Sequence, residues 1–292
     1  MGESSFFSRR LTDKELNLWM EIGKGQDVLA ISKTFIHLAD SMLFASFLGE
    51  DVIGASAIYR DRSRLSMALL SIRILEQYRE RTTSHIMKSS LPFFKTVAIR
   101  EADVLVAKGS EDNEYPFPLI CVLGPWARKA IDENGFFKIA EGAYETYWIP
   151  HAESASNISW DSNPANTEQI RGLFWSANDS FRPDYSHFWL GVDLCREHNL
   201  LFTQSGDNSP TLVIGALPYE GVLYIPSVLY ADDSLNDDEV VDALVNLSTR
   251  LSTEQICVLA LEGIQTSVHS TLHKRFGEPT RRIPLNLMRK KL

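Results

Sequence analysis

The residues best suited to do chemistry lie between Ile74 and Met87, in the stretch I-L-E-Q-Y-R-E-R-T-T-S-H-I-M. Arg79 and Arg81 supply two cations, and Thr82, Thr83 and Ser84 supply three hydroxyls. An apolar, β-prone run from Met67 to Leu75 leads in, and a helical pattern of Ile86, Met87, Leu91, Phe94 and Val97 leads out. A strand feeding a loop whose N–H groups sit at a helix start is a physical recipe for holding an anion. Hydroxyls donate to phosphate and guanidinium forks match it, so a polyanion is the ligand this segment suits.

Other constellations are thinner. His269 and His273 stand one helical turn apart, the spacing of a metal pair, but no third ligand has motif spacing, and no metal site is expected. Cys121, Cys195 and Cys257 are odd in number and widely spaced, as in buried, reduced thiols of a cytoplasmic protein. Glu76, Glu114 and His85 could act as bases, and Tyr115 or Tyr144 as an acid. Each reads first as an ordinary solvated or packed residue. The chain lacks a G-x-S-x-G elbow, a phosphate loop and a dinucleotide fingerprint. Trp175 and Trp189 fit packing better than a ligand box.

Length allows two domains, and 44% hydrophobic with 23% charged residues allows real cores. No run approaches the roughly 18 apolar residues of a membrane span, so no membrane partner is expected. The opening residues MGESSFFSRR lack the apolar core of a secretory signal, and Phe6 breaks the myristoylation pattern. The sequons at Asn157, Asn178 and Asn246 are then chance matches. A net charge of −9 argues against nucleic acid. Residues 1–150 hold 18 basic against 20 acidic side chains, and residues 151–292 hold 11 against 18, so the second half carries the acidity.

The elements that must position the anion-binding stretch can be read in order. A short strand at Phe6–Arg9 precedes a helix opened by Thr12 and Glu15, a capping box, and a second helix is expected over Asp27–Ala39. Strands at Met42–Leu48 and Val52–Tyr59 flank a turn at Gly49-Glu50-Asp51, and a third strand covers Leu65–Leu75. After the loop and its helix come strands at Ala102–Ala107 and Leu119–Leu123. A helix over Trp126–Glu133 follows, stopped at Asn134-Gly135, and then an alternating segment from Phe136 to Ile149. The polar segment 151–166 reads as a linker between a first domain, 1–150, and a second, 167–292. The second domain repeats the pattern: helices at Glu168–Ala177 and Tyr185–Glu197, strands at Leu200–Gln204, Leu212–Leu217 and Val222–Leu229, a helix at Val240–Leu251, a strand at Ile256–Leu261 and a helix at Ser267–Phe276 before Gly277. Leu43-Phe44 recurs as Leu201-Phe202, and V-I-G-A at 52–55 recurs at 213–216, which suggests a duplication.

This element order, with the loop after the fourth strand, resembles the GNAT superfamily of acetyl-CoA-dependent N-acyltransferases. The family's motif runs roughly V-x-P-E-Y-R-G-K-G-I-G-x-x-L-L. Ile74 stands for its Val, Gln77 lies near its Glu, and Tyr78 and Arg79 match its Tyr and Arg. Arg81 falls at its Lys, and Ile86 and Met87 at its apolar pair, while Glu76 replaces the Pro, and Thr82 and Ser84 replace two glycines. The family's late helix ending in G-F looks present as Ala130–Phe136. The resemblance implies an α/β fold of two tandem GNAT-like domains, each a mixed, mostly antiparallel sheet with helices on both faces. It implies that Ile74 and Leu75, on a strand splayed from its neighbour, meet the pantetheine. Arg79, Glu80, Arg81, Thr82, Thr83 and Ser84 would then cradle the CoA pyrophosphate.

The same register in the second half gives S-V-L-Y-A-D-D-S-L-N-D-D-E-V-V, which places five carboxylates around the corresponding loop. Acids suit a helix start but repel a diphosphate, so this copy is expected to be degenerate. The Tyr that many family members carry four residues before the late Gly is Ile131 in the first half and His273 in the second. No catalytic residue is therefore assigned. The activity implied is transfer of an acyl group from acetyl-CoA or another acyl-CoA, bound in the first domain, to a small-molecule or peptide amine. The alternative is a catalytically silent relative that senses acyl-CoA or serves as an interaction module.

Overall fold

In the first half near-continuous runs of buried residues, as at 53–59 and 102–107, build a sheet whose first four strands follow chain order. β1 (Phe6–Arg10), β2 (Ser41–Leu48), β3 (Asp51–Arg60) and β4 (Met67–Ile74) are antiparallel neighbours. Leu48 pairs with Asp51 across a two-residue turn, where Gly49 supplies the positive φ of +65°. The computed structural model describes residues 6–15, 18, 22, 41–61, 67–96, 98–109, 122–150, 158–206 and 209–292. The helix expected over Asp27–Ala39, most of the one before it, and Glu114, Tyr115 and Cys121 lie outside the described residues. At Thr12 only a short 3-10 turn, Asp13–Glu15, is described. The Thr12 N–H and hydroxyl both donate to the Glu15 carboxylate, at 3.2 and 2.7 Å. Arg9 donates twice to the same carboxylate and, with Thr12, holds Glu15 down to about 2.

Beyond β4 a 3-10 turn, Glu76–Tyr78, runs directly into helix α1 (Arg79–Thr96). Thr82, Thr83, Ile86, Met87 and Ser90 form the buried face of α1, at helical spacing. Gly54 lets that face approach the sheet, because a Cβ there would strike the Ile86 side chain. β5 (Glu101–Ala107), β6 (Val122–Leu123) and α2 (Arg128–Glu133) follow, and Gly135 at φ +76° ends α2 where the sequence predicts a stop. The core beneath α1 and α2 joins Phe44, Ile58, Leu70, Ile72, Val104, Val106 and Ile131.

The chain forms two compact units, Met1–Ile139 with Asn286–Leu292, and Ala140–Leu285. The division passes through β7 (Phe137–Trp148) and the final strand β12 (Arg281–Lys291), so the first unit is built from two segments and the second from one. The polar stretch expected as a linker behaves otherwise in its described part. Asp161 bonds Thr203 through backbone and side chain, and Trp160 donates to Asn246, so 158–166 is built into the second unit. In the first unit the end of β12 lies beside β5. Met288 enters the core, Leu292 N–H donates to Arg100 C=O, and Arg289 grips the buried Asp103 carboxylate at 2.7 and 3.1 Å.

In the second unit β8 (Leu201–Ser205), β9 (Pro210–Tyr219) and β10 (Val222–Tyr230) are antiparallel, β11 (Gln255–Leu261) is parallel to β10, and β7 is antiparallel to β11. Helices α3 (Thr167–Ser176) and α4 (Ser186–Glu197) pack against β9 and β10. α5 (Asp237–Arg250) and α6 (Thr266–Phe276) pack on β11, over a core that includes Ile214, Ile225, Val241 and Ile256. Asn166 caps α3, in a reciprocal box with Gln169.

From β2 and from β8 onward the described elements of the two units share one order, β6 aside, but the matching tetrapeptides are not equivalent. Phe44 pairs with Ser56, and Phe202 with Ile214, so the two hairpins enclose equal lengths of chain. Aligning Phe44 with Phe202 sets Gly54 against Leu212, not Gly215. The side chains agree: a Cβ on Gly54 would meet Ile86 of α1, whereas one on Gly215 would meet Cys195 of α4. An odd slip along a strand reverses the face.

Candidate functional site

The sequence-predicted residues gather where β4 meets α1. Ile74 is the last residue of β4, and Leu75 donates its N–H to Ile53 C=O on the β3 side at 3.0 Å. On the opposite side, β4 and β5 are paired only at Met67–Glu101, Ala68–Ala102 and Leu69–Asp103. Farther along, β5 pairs with β6, at Leu105–Val122 and Val106–Leu123. The two parallel strands thus part after Leu69 and Asp103, and β6 takes the place of β4 along the β5 edge, so the fork has Leu70 to Ile74 of β4 on one side and β6 on the other. The splay implied by the resemblance is present. Asp103, at the vertex, is the buried carboxylate that Arg289 neutralises.

The loop expected at Arg79–Ser84 is helix instead. A helix leaves its first four N–H groups outside the i→i−4 ladder; here they belong to Tyr78, Arg79, Glu80 and Arg81. Tyr78 donates to Leu75 C=O, and Arg79 to Glu76 C=O, so Glu80 and Arg81 are the other two. Thr82, Thr83 and Ser84 already lie inside the ladder. The Thr82 hydroxyl donates to Tyr78 C=O at 2.7 Å and the Thr83 hydroxyl to Arg79 C=O. Both threonines sit on the buried face, where a hydroxyl must find a partner within reach. Ser84 Oγ accepts from Asn134 Nδ2 at 3.1 Å. Asn134, at the end of α2, also takes Lys290 Nζ on its carbonyl at 2.5 Å, and its Nδ2 donates to Ala130 C=O. The hydroxyls anticipated as phosphate ligands are therefore structural groups, while Glu80 and Arg81 are exposed at the helix start.

Arg79 lies against Trp126, the residue at which the sequence predicts a helix to begin. Its guanidinium carbon stands 5.2 Å from the centroid of the Trp126 ring, and its Nε reaches toward Ile74 C=O at 3.4 Å. Trp126 belongs to a 3-10 turn, Pro125–Ala127, that directly follows β6 and Gly124. The signal was present in the sequence as G-P-W, in which a glycine precedes a bulky ring across a rigid turn.

In the second unit the corresponding strands also part, but a side chain engages the β10 edge. β10 and β11 pair from Val222–Gln255 to Ile225–Val258 and then part, with a bulge in β10 between Tyr224 and Ser227. The carbonyl of Val228, beyond that point, accepts from Gln265 Nε2 at 2.9 Å, and the same amide donates to Phe181 C=O at 3.1 Å. Gln265 takes a left-handed conformation, φ +49°, to place its side chain there. Asn236 and Glu239 cap α5 reciprocally, and the Asp237 carboxylate accepts from the hydroxyls of Tyr230 and Ser267. Three acids fill the first turn of α5.

The remaining candidates separate. Ile131 is buried in the first core and offers no proton. Glu76 and His85 are exposed, with the His85 ring edge-on to Phe6. His273 is half-exposed, 3.6 Å from Glu278. Burial pulls the His269 imidazole down to about 4 against the opposing charge of Glu145, and its Nδ1 has no hydrogen-bond partner. No cluster of metal-ligating side chains occurs among the described residues, and no described helix is long and apolar enough to cross a membrane. Cys195 and Cys257 are free and buried, and burial pushes the Cys257 thiol up to about 12.

No protein-family profile matches the sequence, and no curated protein matches it. Solved structures do match along nearly the whole chain. A GCN5-related N-acetyltransferase from Sphaerobacter thermophilus superposes with a TM-score of 0.58 at 10% identity, covering 98% of this chain and 95% of that one. Another from Kribbella flavida gives 0.60 at 11% identity, over 99% and 72%. A tandem GNAT protein from the clavulanic acid biosynthesis pathway gives 0.59 at 9% identity, over 98% of both chains. At these identities the likeness bears on architecture, and with the forked strands it fixes the architecture: the chain has the GNAT fold, in two tandem copies.

Proposed function

We propose that this protein is an acyl-CoA-dependent N-acyltransferase whose first unit holds acetyl-CoA or a related acyl-CoA. The observation that carries the reading is the fork between β4 and β5, opening toward the start of α1. An extended, amide-bearing chain such as pantetheine can bond the β4 edge as a strand would. The diphosphate then meets the N–H groups of Glu80 and Arg81, the helix dipole, and the guanidinium groups of Arg79 and Arg81. Ile74 and Leu75 line the strand end of this path. Thr82, Thr83 and Ser84 support it from within α1.

In the reaction the amine nitrogen attacks the thioester carbonyl, the C–S bond breaks, and the ammonium proton leaves as the thiolate takes one up. An amine acceptor, small molecule or peptide, completes the scheme. The second reading, a silent acyl-CoA sensor, is favoured by one observation: the position of the usual tyrosine acid is the buried Ile131.

Acetyl-CoA is expected to raise the melting temperature of the protein, by the equivalent of about 2.7 kcal/mol at one hundred times its Kd, and Arg79→Glu to abolish the shift. A wild-type protein with no shift at millimolar acetyl-CoA would remove both readings. Thiol release across an amine panel then separates them, since only the enzyme turns over.

A further inference from the structure

We infer that Trp126 is a positioning residue for Arg79, holding the guanidinium over the mouth of the β4–β5 fork as a fixed cation for the diphosphate of the ligand. The inference rests on the reading that acyl-CoA binds in the first unit. Arg79 has only a weak polar restraint, the 3.4 Å contact to Ile74 C=O. An arginine so lightly held would sample many rotamers, and the ordering cost on binding would fall on the ligand. The Trp126 face supplies the missing restraint, since a guanidinium stacks on an indole better than on any other side chain.

The local chain is shaped for that contact. β6 pairs with β5 and ends at Leu123, so it brings the next residues to the opening of the fork. Pro125 fixes the first position of the following turn, and Ala127 N–H donates to Gly124 C=O at 3.0 Å to close it. Gly124 has an ordinary φ of −67°, so its backbone does not require glycine. Space requires it: a Cβ at 124 would overlap the Trp126 indole at Nε1 and Cδ1. The indole therefore lies back across Gly124, and Trp126 is only half-buried, as a ring with one face left for a cation must be. Ala127, next in the chain, is fully buried and anchors the turn in the core.

The test is a double-mutant cycle on CoA binding, read by calorimetry at two salt concentrations, with pyrophosphate and pantetheine as partial ligands. Trp126→Leu is expected to weaken CoA about tenfold, to lower the salt dependence, and to leave pantetheine unchanged. Trp126→Phe keeps a stacking face and is expected to stay within about threefold of wild type. In an Arg79→Met background, Trp126→Leu should add no further loss, because the two act as one unit. Wild-type affinity in Trp126→Leu, or an undiminished loss in the Arg79→Met background, would overturn the inference while leaving acyl-CoA binding intact. Failure of the wild-type protein itself to bind CoA would overturn both.

Discussion

Single residues set the chemistry through their burial. Thr82 and Thr83 look like anion ligands when read as part of a loop. They also stand four residues before Ile86 and Met87, respectively, and Ser90 continues the same stripe. That spacing was legible, and it marks the inner face of a helix, where hydroxyls turn to backbone carbonyls. Polarity alone does not mark a residue as exposed. Arg79 was legible as a cation, but not its stacking on Trp126, which depends on a contact about 47 positions along the chain. His269 carries a prediction at this scale. Its folded-state value of about 4 lies below the ordinary 6.5, so the folded protein favours the neutral ring. The associated stability is complete above pH 6.5 and is lost as the pH falls toward 4, by on the order of 2–3 kcal/mol. Urea melts between pH 7.5 and 4.5 should show this loss in the wild type and a smaller one in His269→Leu. Equal slopes would show that the imidazole titrates normally.

At the level of elements, most strands and helices fall where periodicity placed them, with ends displaced by one to three residues. Two exceptions matter. α1 starts at Arg79, because the 3-10 turn after Leu75 hands its geometry straight to the helix. The final strand, β12, went unread beyond Gly277. Pro284 and its basic end obscure an alternation of Ile283, Leu285 and Leu287 that marks buried strand positions. That strand carries Arg289, the partner of Asp103 at the vertex of the fork. Arg289→Met removes the guanidinium from a fully buried carboxylate and is expected to lower stability by about 3 kcal/mol. Adding Asp103→Leu should restore a large part of it, since replacing both partners removes the buried charge as well. Thermal melts of the single and double variants decide the matter, and a single variant as stable as wild type would show that the pair contributes nothing.

For the whole molecule, the duplication is plain in element order and misleading in its short identities. The two V-I-G-A segments face opposite sides of their sheets, so they record coincidence, while Leu43-Phe44 and Leu201-Phe202 hold true register. The sequence cut at 150 also leaves out residues 286–292, which complete the first unit. Pairing between residues so distant in sequence gives no local signal. The asymmetry of the copies was legible in charge: acids crowd the start of α5, and arginines the start of α1. Only the structure adds Gln265, whose amide bonds the β10 carbonyl that an open fork would present to a ligand. On the proposed function the first unit binds acyl-CoA and the second does not, and isothermal titration of the intact chain with acetyl-CoA distinguishes the two. We predict one equivalent bound per chain, lost in Arg79→Glu and retained when Asp237 and Asp238 are replaced by alanine. Two equivalents, or a single site that survives Arg79→Glu, would contradict it.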